Sequence, residues 1–547
     1  MLLQDSFKFL LFTLSLLPST LGSSGPIVNT STGSYIGVHD AQNNVDVFKG
    51  IRFASPPKRF TPAAPIATAP DGLQSAVAFG ADCPQPPLLE TGGVAIGPPL
   101  QAANQSEDCL FLNIWRPAST SIGEKLPIQV YLHGGGYFEG SGSEWNGTGL
   151  VRRSISTNKP IIFITFNYRL GVLGFIGSAQ APNSALNVGL QDQRDALRWI
   201  QDNAANFGGD GSRVTISGES AGAGGVHMHY LFPDSRKTFR AGISSSGTSQ
   251  VLATVPCEWH DRPGGGYTIL SNITGCGSGP ASFKCLQDLP FDTFWPLALS
   301  TYQPPVGNQP PWSMTCKGPQ GSFIDEYPAK KALDGDFLNL PIITGTNLNE
   351  GNLLIGASLL DLSPQPPIDE ENSILSGFIA GQSIRNVSQD TITRLLGLYA
   401  HPERVSNSTL YDRAAEFFND NGFLAPQRQF LKVASAKQDV WAYSFQQRIP
   451  GFPAFLGVFH SNDLYYLDIG SNPVPAQKLV TQMQDFYISF VNDLNPGTFW
   501  PKYAEESKIV MRLLDGNVGP IVDTLRRNQT DFLSQFEVME EFGRFGL

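Results

Sequence analysis

The chain has no cluster of basic residues and no excess of positive charge. Its 37 Lys and Arg residues are outnumbered by 48 Asp and Glu residues, which gives a formal net charge of -11 at pH 7. Nucleic-acid binding depends on clustered Lys and Arg that contact phosphates, so we expect no nucleic-acid partner. The acidic balance is better explained as a property that keeps the protein soluble.

Long apolar runs are absent beyond the N-terminus, so we expect no integral membrane segment. The apolar run at 9–17 (FLLFTLSLL) is too short to span a bilayer; Lys8 precedes it and Pro18 ends it. This pattern is typical of a secretory signal peptide, with a buried N-terminal helix as the alternative. The C-terminus lacks the hydrophobic tail of a GPI signal. We therefore expect a signal peptide over 1–22 and a secreted, extracellular protein.

Cysteine is scarce, but its number and the glycosylation motifs agree with secretion. The six cysteines are an even number, which fits an oxidising compartment. Asn-x-Ser/Thr motifs are acceptors for N-glycosylation in secreted proteins. The predicted glycosylation sites are Asn29, Asn104, Asn146, Asn272, Asn386, Asn407 and Asn528.

Internal repeats, low-complexity tracts and linkers between domains are also absent. With 16% charged and 41% hydrophobic residues, the composition is that of a globular protein. We expect a single domain over residues 23–547. Near its start, the alternating segments 33–38 and 45–53 predict a small antiparallel unit, followed by a Pro-rich loop over 56–99.

The central part of the chain alternates between predicted strands and helices. Apolar runs at 126–133 and 161–166 are typical of strands buried on both faces of a parallel sheet. A period of 3.6 residues predicts a helix within 187–206. Further strands are predicted at 213–217, 340–345 and 440–445, with a large helical and loop insertion between the last two. This order predicts an α/β fold with a mostly parallel central sheet flanked by helices.

The most informative feature is the pentapeptide at 218–222 (GESAG), directly after the predicted strand at 213–217. The pattern G-x-S-x-G after a strand is typical of a nucleophile elbow, a strained strand-to-helix turn that exposes a serine. A serine hydroxyl is a weak nucleophile until a base takes its proton. Ser220 therefore predicts a histidine and a carboxylate further along the chain.

Both partners follow Ser220 in the order serine, acid, histidine. Glu350 is the only carboxylate in the loop after the predicted strand at 340–345. Of the seven histidines, only His460 follows Glu350 and lies in a loop after a predicted strand. We expect His460 to take the Ser220 proton and deliver it to the leaving alcohol. Glu350 would orient the imidazole and stabilise its charged form.

A glycine run at 134–136, after the strand at 126–133, predicts an oxyanion hole. HGGG motifs supply backbone N–H donors in hydrolases, and the N–H of Ala221 would complete the set. The run is not a phosphate-binding loop, because no G-x-x-x-x-G-K-[ST] motif is present. His227 and His229 are two residues apart on a predicted helix and point to different faces, so we expect no metal and no other cofactor.

Together these residues resemble the type-B carboxylesterase/lipase family, the cholinesterase-like α/β-hydrolases. The motifs that carry the resemblance are 49–54 (KGIRFA), 106–113 (SEDCLFLN), 133–137 (HGGGY), 167–171 (NYRLG), 206–210 (NFGGD) and 218–222 (GESAG). The stretch at 459–463 (FHSND) is most similar to the fungal lipase and esterase branch. The resemblance implies an α/β-hydrolase fold over nearly the whole mature chain. The site that it implies has a triad of Ser220, Glu350 and His460 and oxyanion donors at Gly135, Gly136 and Ala221.

The resemblance also implies disulfides Cys83–Cys109 and Cys276–Cys285, and leaves open whether Cys257 and Cys316 pair. In family lipases the first disulfide loop carries a lid helix, whereas here its Pro and Gly content disfavours a helix and argues against strong interfacial activation. The same loop has no aromatic residue, so it lacks the tryptophan with which cholinesterases bind the choline cation.

The sequence therefore predicts a secreted serine hydrolase that cleaves small-molecule or lipid-like carboxylic esters through an acyl-enzyme. One alternative is a triacylglycerol lipase. Another is a non-catalytic binding module of the same fold, although such relatives usually lose the serine and this chain retains all three triad residues. Because His460 must be neutral to accept a proton, activity should fall as the pH drops through its pKa, ~6.5 if unperturbed.

Overall fold

The computed structural model of the chain describes residues 25–87, 104–302, 312–355, 359–360, 366–467, 469 and 475–546. The predicted signal peptide and residues 88–103 of the first disulfide loop, on which the lid prediction depends, lie outside this part. The strands in the described part are β1 (Ile27–Thr30), β2 (Gly33–Ile36), β3 (Val38–Asp40), β4 (Val45–Arg52), β5 (Leu73–Ser75), β6 (Phe111–Pro117), β7 (Leu126–Leu132), β8 (Ile162–Phe166), β9 (Gly209–Glu219), β10 (Ala241–Ser245), β11 (Thr254–Pro256), β12 (Thr315–Lys317), β13 (Ile342–Asn347), β14 (Val440–Phe445), β15 (Ile509–Leu513) and β16 (Gly519–Val522).

Helices are distributed along the whole described chain. They are α1 (Thr148–Ser156), α2 (Gly171–Phe175), α3 (Val188–Asn203), α4 (Ala221–Leu231), α5 (Gly266–Ile273), α6 (Pro280–Asp288), α7 (Phe291–Ser300), α8 (Pro328–Asp334), α9 (Glu350–Leu354), α10 (Ile368–Gly381), α11 (Gln389–Leu398), α12 (Thr409–Asn419), α13 (Ala425–Ala434), α14 (Gln477–Asp493), α15 (Arg527–Leu533) and α16 (Phe536–Glu541). None of the helices in the described residues is both long enough and apolar enough to cross a membrane.

An 11-stranded sheet forms the centre of the described part, in the order β16-β15-β14-β13-β10-β9-β7-β8-β6-β4-β3. The seven strands from β15 to β8 in this order are parallel to one another. The edges, formed by β16 and by β6, β4 and β3, are antiparallel. This arrangement confirms the predicted mostly parallel sheet.

Helices cover both faces of the sheet because alternate strand residues point to opposite sides. On β7, Ile128 and Val130 join the core that includes residues of α3 and α4. Tyr131 points to the opposite face of β7 and joins the core that includes residues of α1 and α14. Every residue of β7, β8 and β10 is buried, which explains the nearly continuous apolar sequences of β7 and β8.

The predicted insertion between β13 and β14 contains helices α9 to α13 in its described parts. Several of these helices share a separate hydrophobic core with residues from α15 and α16 near the end of the chain. A further core unites residues of α2 with α5, α6 and α7. These two layers lie outside the sheet and its covering helices.

The N-terminal prediction is only partly correct. The segment predicted as one strand at 33–38 is divided between β2, in a three-stranded sheet with β1 and β5, and β3, which pairs with β4 in the main sheet. The division falls at Gly37, where an added Cβ would lie 2.5 Å from the carbonyl oxygen of Val47. The Pro-rich segment predicted as loop contains the short strand β5, because its backbone pairs with β2.

Three disulfides join all six cysteines. Cys83–Cys109 and Cys276–Cys285 confirm the pairings that the family resemblance implies. The third, Cys257–Cys316, connects the 3-10 helix after β11 to β12, and it answers the question that the sequence left open.

Candidate active site

Ser220 occupies the turn between β9 and α4, with φ 55° and ψ −121°. A positive φ is uncommon for a residue other than glycine, and the surrounding packing maintains it here. An added Cβ on Gly222 would lie 2.0 Å from the carbonyl oxygen of Leu132, and one on Gly218 would lie 2.4 Å from the carbonyl carbon of Gly222. Both glycines of the pentapeptide are therefore required by the close approach of backbones, as expected for a nucleophile elbow.

The predicted acid and base meet directly. Nδ1 of His460 lies 2.7 Å from Oε2 of Glu350, across 110 positions of sequence. Glu350 is completely buried at the start of α9, and its other oxygen accepts a hydrogen bond from the backbone N–H of Asn347 at 2.6 Å. The backbone N–H of Glu350 itself donates to Oδ1 of Asn419 at 2.8 Å. The carboxylate is thus fixed in the position that orients the imidazole.

The opposite side of the imidazole faces Glu219, the residue before the predicted nucleophile. Nε2 of His460 lies 3.3 Å from Oε1 of Glu219, and the same oxygen accepts a hydrogen bond from the Ser461 hydroxyl at 2.6 Å. Within the described residues, the Ser220 hydroxyl makes no hydrogen bond to His460. The structure therefore brings His460 to the elbow through Glu219, a residue whose role the sequence analysis missed. The motif gives no signal for this role, because the second position of G-x-S-x-G accepts any residue.

Three buried carboxylates surround the imidazole and favour its charged form. Burial alone would lower the pKa of His460, but the charges of Glu219, Glu350 and Asp463 outweigh it and raise that pKa to about 9. Burial raises the pKa of Glu219 to about 7, although the neighbouring imidazole acts in the opposite direction. His460 therefore becomes neutral only at a higher pH than an ordinary histidine does.

Asp463 is a further buried carboxylate near His460, and it accepts hydrogen bonds from two neighbouring side chains. Its Oδ2 accepts a hydrogen bond from the Tyr443 hydroxyl at 2.6 Å, and its Oδ1 accepts one from Nδ2 of Asn347 at 3.2 Å. Because Asn347 also donates its backbone N–H to Glu350, this network links the loop of His460 to the loop of Glu350. Desolvation raises the pKa of Asp463.

The glycine run that follows β7 lies beside the elbow. An added Cβ on Gly134 would lie 3.2 Å from Cβ of Ser220, which places the two turns in contact. Gly135 and Gly136 adopt φ of 92° and 59°, in the left-handed region that favours glycine. In the described part of the chain, neither donates its backbone N–H to another protein group. Ala221 is the first residue of α4, so its N–H has no acceptor within the helix.

His227 and His229 lie inside α4 and do not form a shared site. Nε2 of His229 lies 3.1 Å from Oε1 of Gln193, and the ring of His227 packs edge-on against Phe430. Burial lowers the pKa of both imidazoles to about 3, so both are neutral near pH 7. Within the described ranges, no three His, Cys, Asp or Glu residues are grouped so that they could hold a metal ion.

All seven asparagines of the predicted glycosylation motifs are exposed to solvent. They lie at separate places around the molecule, from Asn29 in β1 to Asn528 in α15. The geometry is therefore compatible with a glycan at each of these positions.

The comparisons with known proteins agree with the architecture. The crystal structure of Aspergillus niger EstA superposes with a TM-score of 0.79 at 24% identity, covering 95% of this chain and 99% of that chain. Lipase 4 of Diutina rugosa is 30% identical over 552 residues, which are 93% of this chain and 94% of that protein. Secreted lipase 1 of Botryotinia fuckeliana (strain B05.10) is 29% identical, with 93% of each chain covered.

The sheet order, the covering helices and this structural likeness define an α/β-hydrolase fold. The family described as the Carboxylesterase family matches residues 24–533. The chain therefore belongs to the carboxylesterase family and is a carboxylic-ester hydrolase.

Proposed function

We propose that the protein is a secreted serine esterase whose nucleophile is Ser220, whose base is His460 and whose orienting acid is Glu350. The observation that carries this proposal is the hydrogen-bond distance of 2.7 Å between His460 and the buried Glu350, at the loop that contacts the elbow. An imidazole held at Nδ1 by a carboxylate presents Nε2 to the nucleophile in the correct tautomer.

Catalysis would begin when His460 takes the proton of the Ser220 hydroxyl as its oxygen attacks the ester carbonyl carbon. Because Nε2 faces Glu219 in the free protein, the hydroxyl must approach Nε2 when the ester binds. Such catalytic hydrogen bonds often form fully only in the complex. The resulting imidazolium would be stabilised by Glu350.

The negative charge that develops on the carbonyl oxygen would be stabilised by backbone N–H groups of Gly135, Gly136 and Ala221. Donors of this kind contribute roughly 10²–10³ each in kcat. The tetrahedral intermediate then collapses, and His460 gives its proton to the departing alcohol. Water, activated by the same imidazole, attacks the acyl-enzyme and releases the acid together with free Ser220.

A second candidate is a triacylglycerol lipase, which the similarity to proteins named as lipases favours. The decisive experiment is hydrolysis of p-nitrophenyl esters from acetate to palmitate by the wild type and by Ser220→Ala. We expect turnover that is lost in Ser220→Ala while its circular dichroism is unchanged. A maximum at short chains supports an esterase of small substrates. A maximum at long chains, with a rate that rises above the solubility limit, supports the lipase.

Retained turnover in Ser220→Ala would reject Ser220 as the nucleophile. No turnover of any ester by the folded wild type would instead favour the non-catalytic binding module. The two failures are distinguishable because only the second affects the wild type.

Secretion and N-glycosylation are part of the same proposal. They are supported by the exposed asparagine motifs, by three disulfides and by relatives named as secreted lipases. N-terminal sequencing of protein recovered from the culture medium should begin near residue 23. Enzymatic removal of N-glycans should lower its mass. An intact Met1 on protein retained in the cells would contradict this part of the proposal.

A further inference from the structure

A cavity of about 820 Å³ lies near the proposed active site, although Ser220, Glu350 and His460 are not among its lining residues. One wall is the segment 249–254, which follows β10. There, an added Cβ on Gly224, four residues after Ser220, would lie 3.1 Å from Cγ1 of Val251. Another wall includes Gly422, directly before Phe423, whose ring centroid is 5.0 Å from that of His460. Residues of the cavity wall therefore lie next to α4 and next to Phe423, which contacts the ring of His460.

Arg544 lines this cavity, and within the described residues its guanidinium donates only to uncharged oxygen atoms. Its Nη1 donates to the carbonyl oxygen of Gln250 at 2.9 Å, and its Nη2 donates to the carbonyl oxygen of Asn421 at 2.8 Å and approaches Oδ1 of the same residue at 3.3 Å. A guanidinium has five N–H donors, so at least two have no acceptor among the described residues. Burial lowers the pKa of Arg544 to about 10, because a surrounding of low polarity disfavours the charged form.

Arg262 is a second cation on the cavity wall. Its Nη1 donates to the carbonyl oxygen of Trp259 at 2.6 Å, and its guanidinium lies 3.7 Å from the centroid of the Trp259 ring. In the described ranges neither Arg262 nor Arg544 forms an ion pair. Nε2 of Gln382, also on the wall, is a buried donor without a hydrogen-bond partner in the same part of the chain.

The two carboxylates on the described cavity wall contact residues other than Arg262 and Arg544. Glu540 pairs with Arg385 at 3.5 Å. Glu541 accepts hydrogen bonds from the backbone N–H and the hydroxyl of Ser388, at 2.8 and 3.0 Å. The described cavity wall therefore carries three guanidinium groups (Arg262, Arg385 and Arg544) and two carboxylates (Glu540 and Glu541), and within the described residues Arg262 and Arg544 have no carboxylate partner.

We propose that the cavity binds a carboxylate carried by the ester substrate, so that the preferred substrates are anionic esters. This inference rests on the function proposed above and names the substrate class for it. A carboxylate fits the free edge of a guanidinium and forms short, charge-assisted hydrogen bonds with it. Apolar side chains such as Leu252, Met314 and Phe418 line the same space and suit the carbon chain between the ester and the carboxylate.

The test compares anionic and neutral esters of equal chain length. The acid-side pairs are the p-nitrophenyl half-esters of succinic, adipic and suberic acid and the p-nitrophenyl esters of butanoic, hexanoic and octanoic acid. The alcohol-side pair is 6-acetoxyhexanoate and hexyl acetate, followed by proton release. The enzymes are the wild type, Arg544→Gln, Arg544→Lys and Arg262→Gln, with Arg404→Gln as a control because Arg404 is exposed and does not line the cavity.

We expect the wild type to favour the anionic member of at least one pair in kcat/KM. Arg544→Gln should lower the ratio of anionic to neutral kcat/KM by roughly 10- to 100-fold, the range for a charge-assisted hydrogen bond. Arg544→Lys should restore part of the ratio, Arg262→Gln should lower it, and Arg404→Gln should leave it unchanged. The pair that responds identifies whether the carboxylate belongs to the acid or the alcohol.

Either a ratio of anionic to neutral kcat/KM below one for every pair in the wild type, or a ratio that Arg544→Gln leaves unchanged for every pair, would overturn the inference. If Arg544→Gln does not fold, the inference is tested by inhibition of the wild type with a dicarboxylate and with an uncharged diol. Adipate should then compete with p-nitrophenyl butanoate at least 10-fold more tightly than the uncharged 1,6-hexanediol, and equal inhibition would overturn the inference. Absence of Ser220-dependent hydrolysis of any ester would reject the proposed function itself.

Discussion

At the scale of single residues, the chemistry depends on how carboxylates surround one imidazole. The G-x-S-x-G motif, the order serine, acid, histidine and placement in loops after predicted strands together select Ser220, Glu350 and His460, and the structure brings the last two to 2.7 Å. The contact between Glu219 and Nε2 of His460 could not be predicted in the same way. It depends on the angle at which the elbow meets the histidine loop, and no local pattern encodes that angle.

Glu219→Gln should move the acidic limb of the pH–rate profile to lower pH. Glu219 raises the pKa of His460, and catalysis requires the neutral imidazole, so removing this charge lets the base form persist in more acidic solution. The expected displacement of kcat/KM is about 1 pH unit, and the wild-type limb itself should lie above the ordinary histidine value of ~6.5.

The matched control is Glu537→Gln, because Glu537 is exposed. Its profile should coincide with that of the wild type. An unchanged limb in Glu219→Gln would mean that the charge of Glu219 does not act on the catalytic base.

At the scale of elements, the sequence analysis found those buried strands that have a continuous apolar run, whereas β10 (AGISS), which is equally buried, was missed because it has no such run. β7, β8 and β14 begin and end within one residue of their predictions, because continuous apolar runs bounded by turns identify such strands. β5 was missed, because its three residues pair with β2 from within a Pro-rich segment and their own pattern is weak. The elbow was predictable because two glycines mark close contacts, Gly222 between α4 and β7 and Gly218 between β9 and α4.

Gly222→Ala should destabilise the protein and reduce its activity. The added methyl would lie 2.0 Å from the carbonyl oxygen of Leu132, so α4 and β7 must separate and Ser220 must move with them. Overpacking of this kind costs about 1–3 kcal/mol. Thermal unfolding at a fixed scan rate, together with kcat for p-nitrophenyl butanoate, measures both effects.

Gly397→Ala is the paired control, since Gly397 lies exposed in α11 with no atom within 4 Å of an added Cβ. It should raise the unfolding temperature slightly, by the equivalent of about 0.4–1 kcal/mol, with unchanged activity. Equal effects of the two substitutions would contradict the packing that we assign to the elbow.

At the scale of the whole molecule, the features that matter join segments far apart in sequence. The cavity wall combines residues 249–254, 380–386 and 540–544, which come from different layers of the fold. No periodicity or motif could predict that these segments meet, because insertions of irregular length bring them together. For the same reason the pairing of Cys257 with Cys316 required the structure.

Replacement of both Cys257 and Cys316 by serine should destabilise the protein more than replacement of both Cys276 and Cys285. The Cys257–Cys316 disulfide closes a loop of 59 residues, and the Cys276–Cys285 disulfide closes a loop of 9. The chain-entropy description then gives about 4 and about 2.5 kcal/mol. Urea-induced unfolding of the two double variants, with peptide mapping under non-reducing conditions, tests this order. A smaller loss for the Cys257 and Cys316 variant would contradict it.

The most direct test of the central claim is covalent labelling by a fluorophosphonate ester, which reacts with an activated serine nucleophile. After tryptic digestion, mass spectrometry should find one phosphonyl group per chain, on Ser220 within the peptide 214–236. Its formation should parallel the loss of esterase activity, and His460→Asn should remove nearly all labelling. A label on another residue, or full ester hydrolysis by protein labelled at Ser220, would contradict the proposed mechanism.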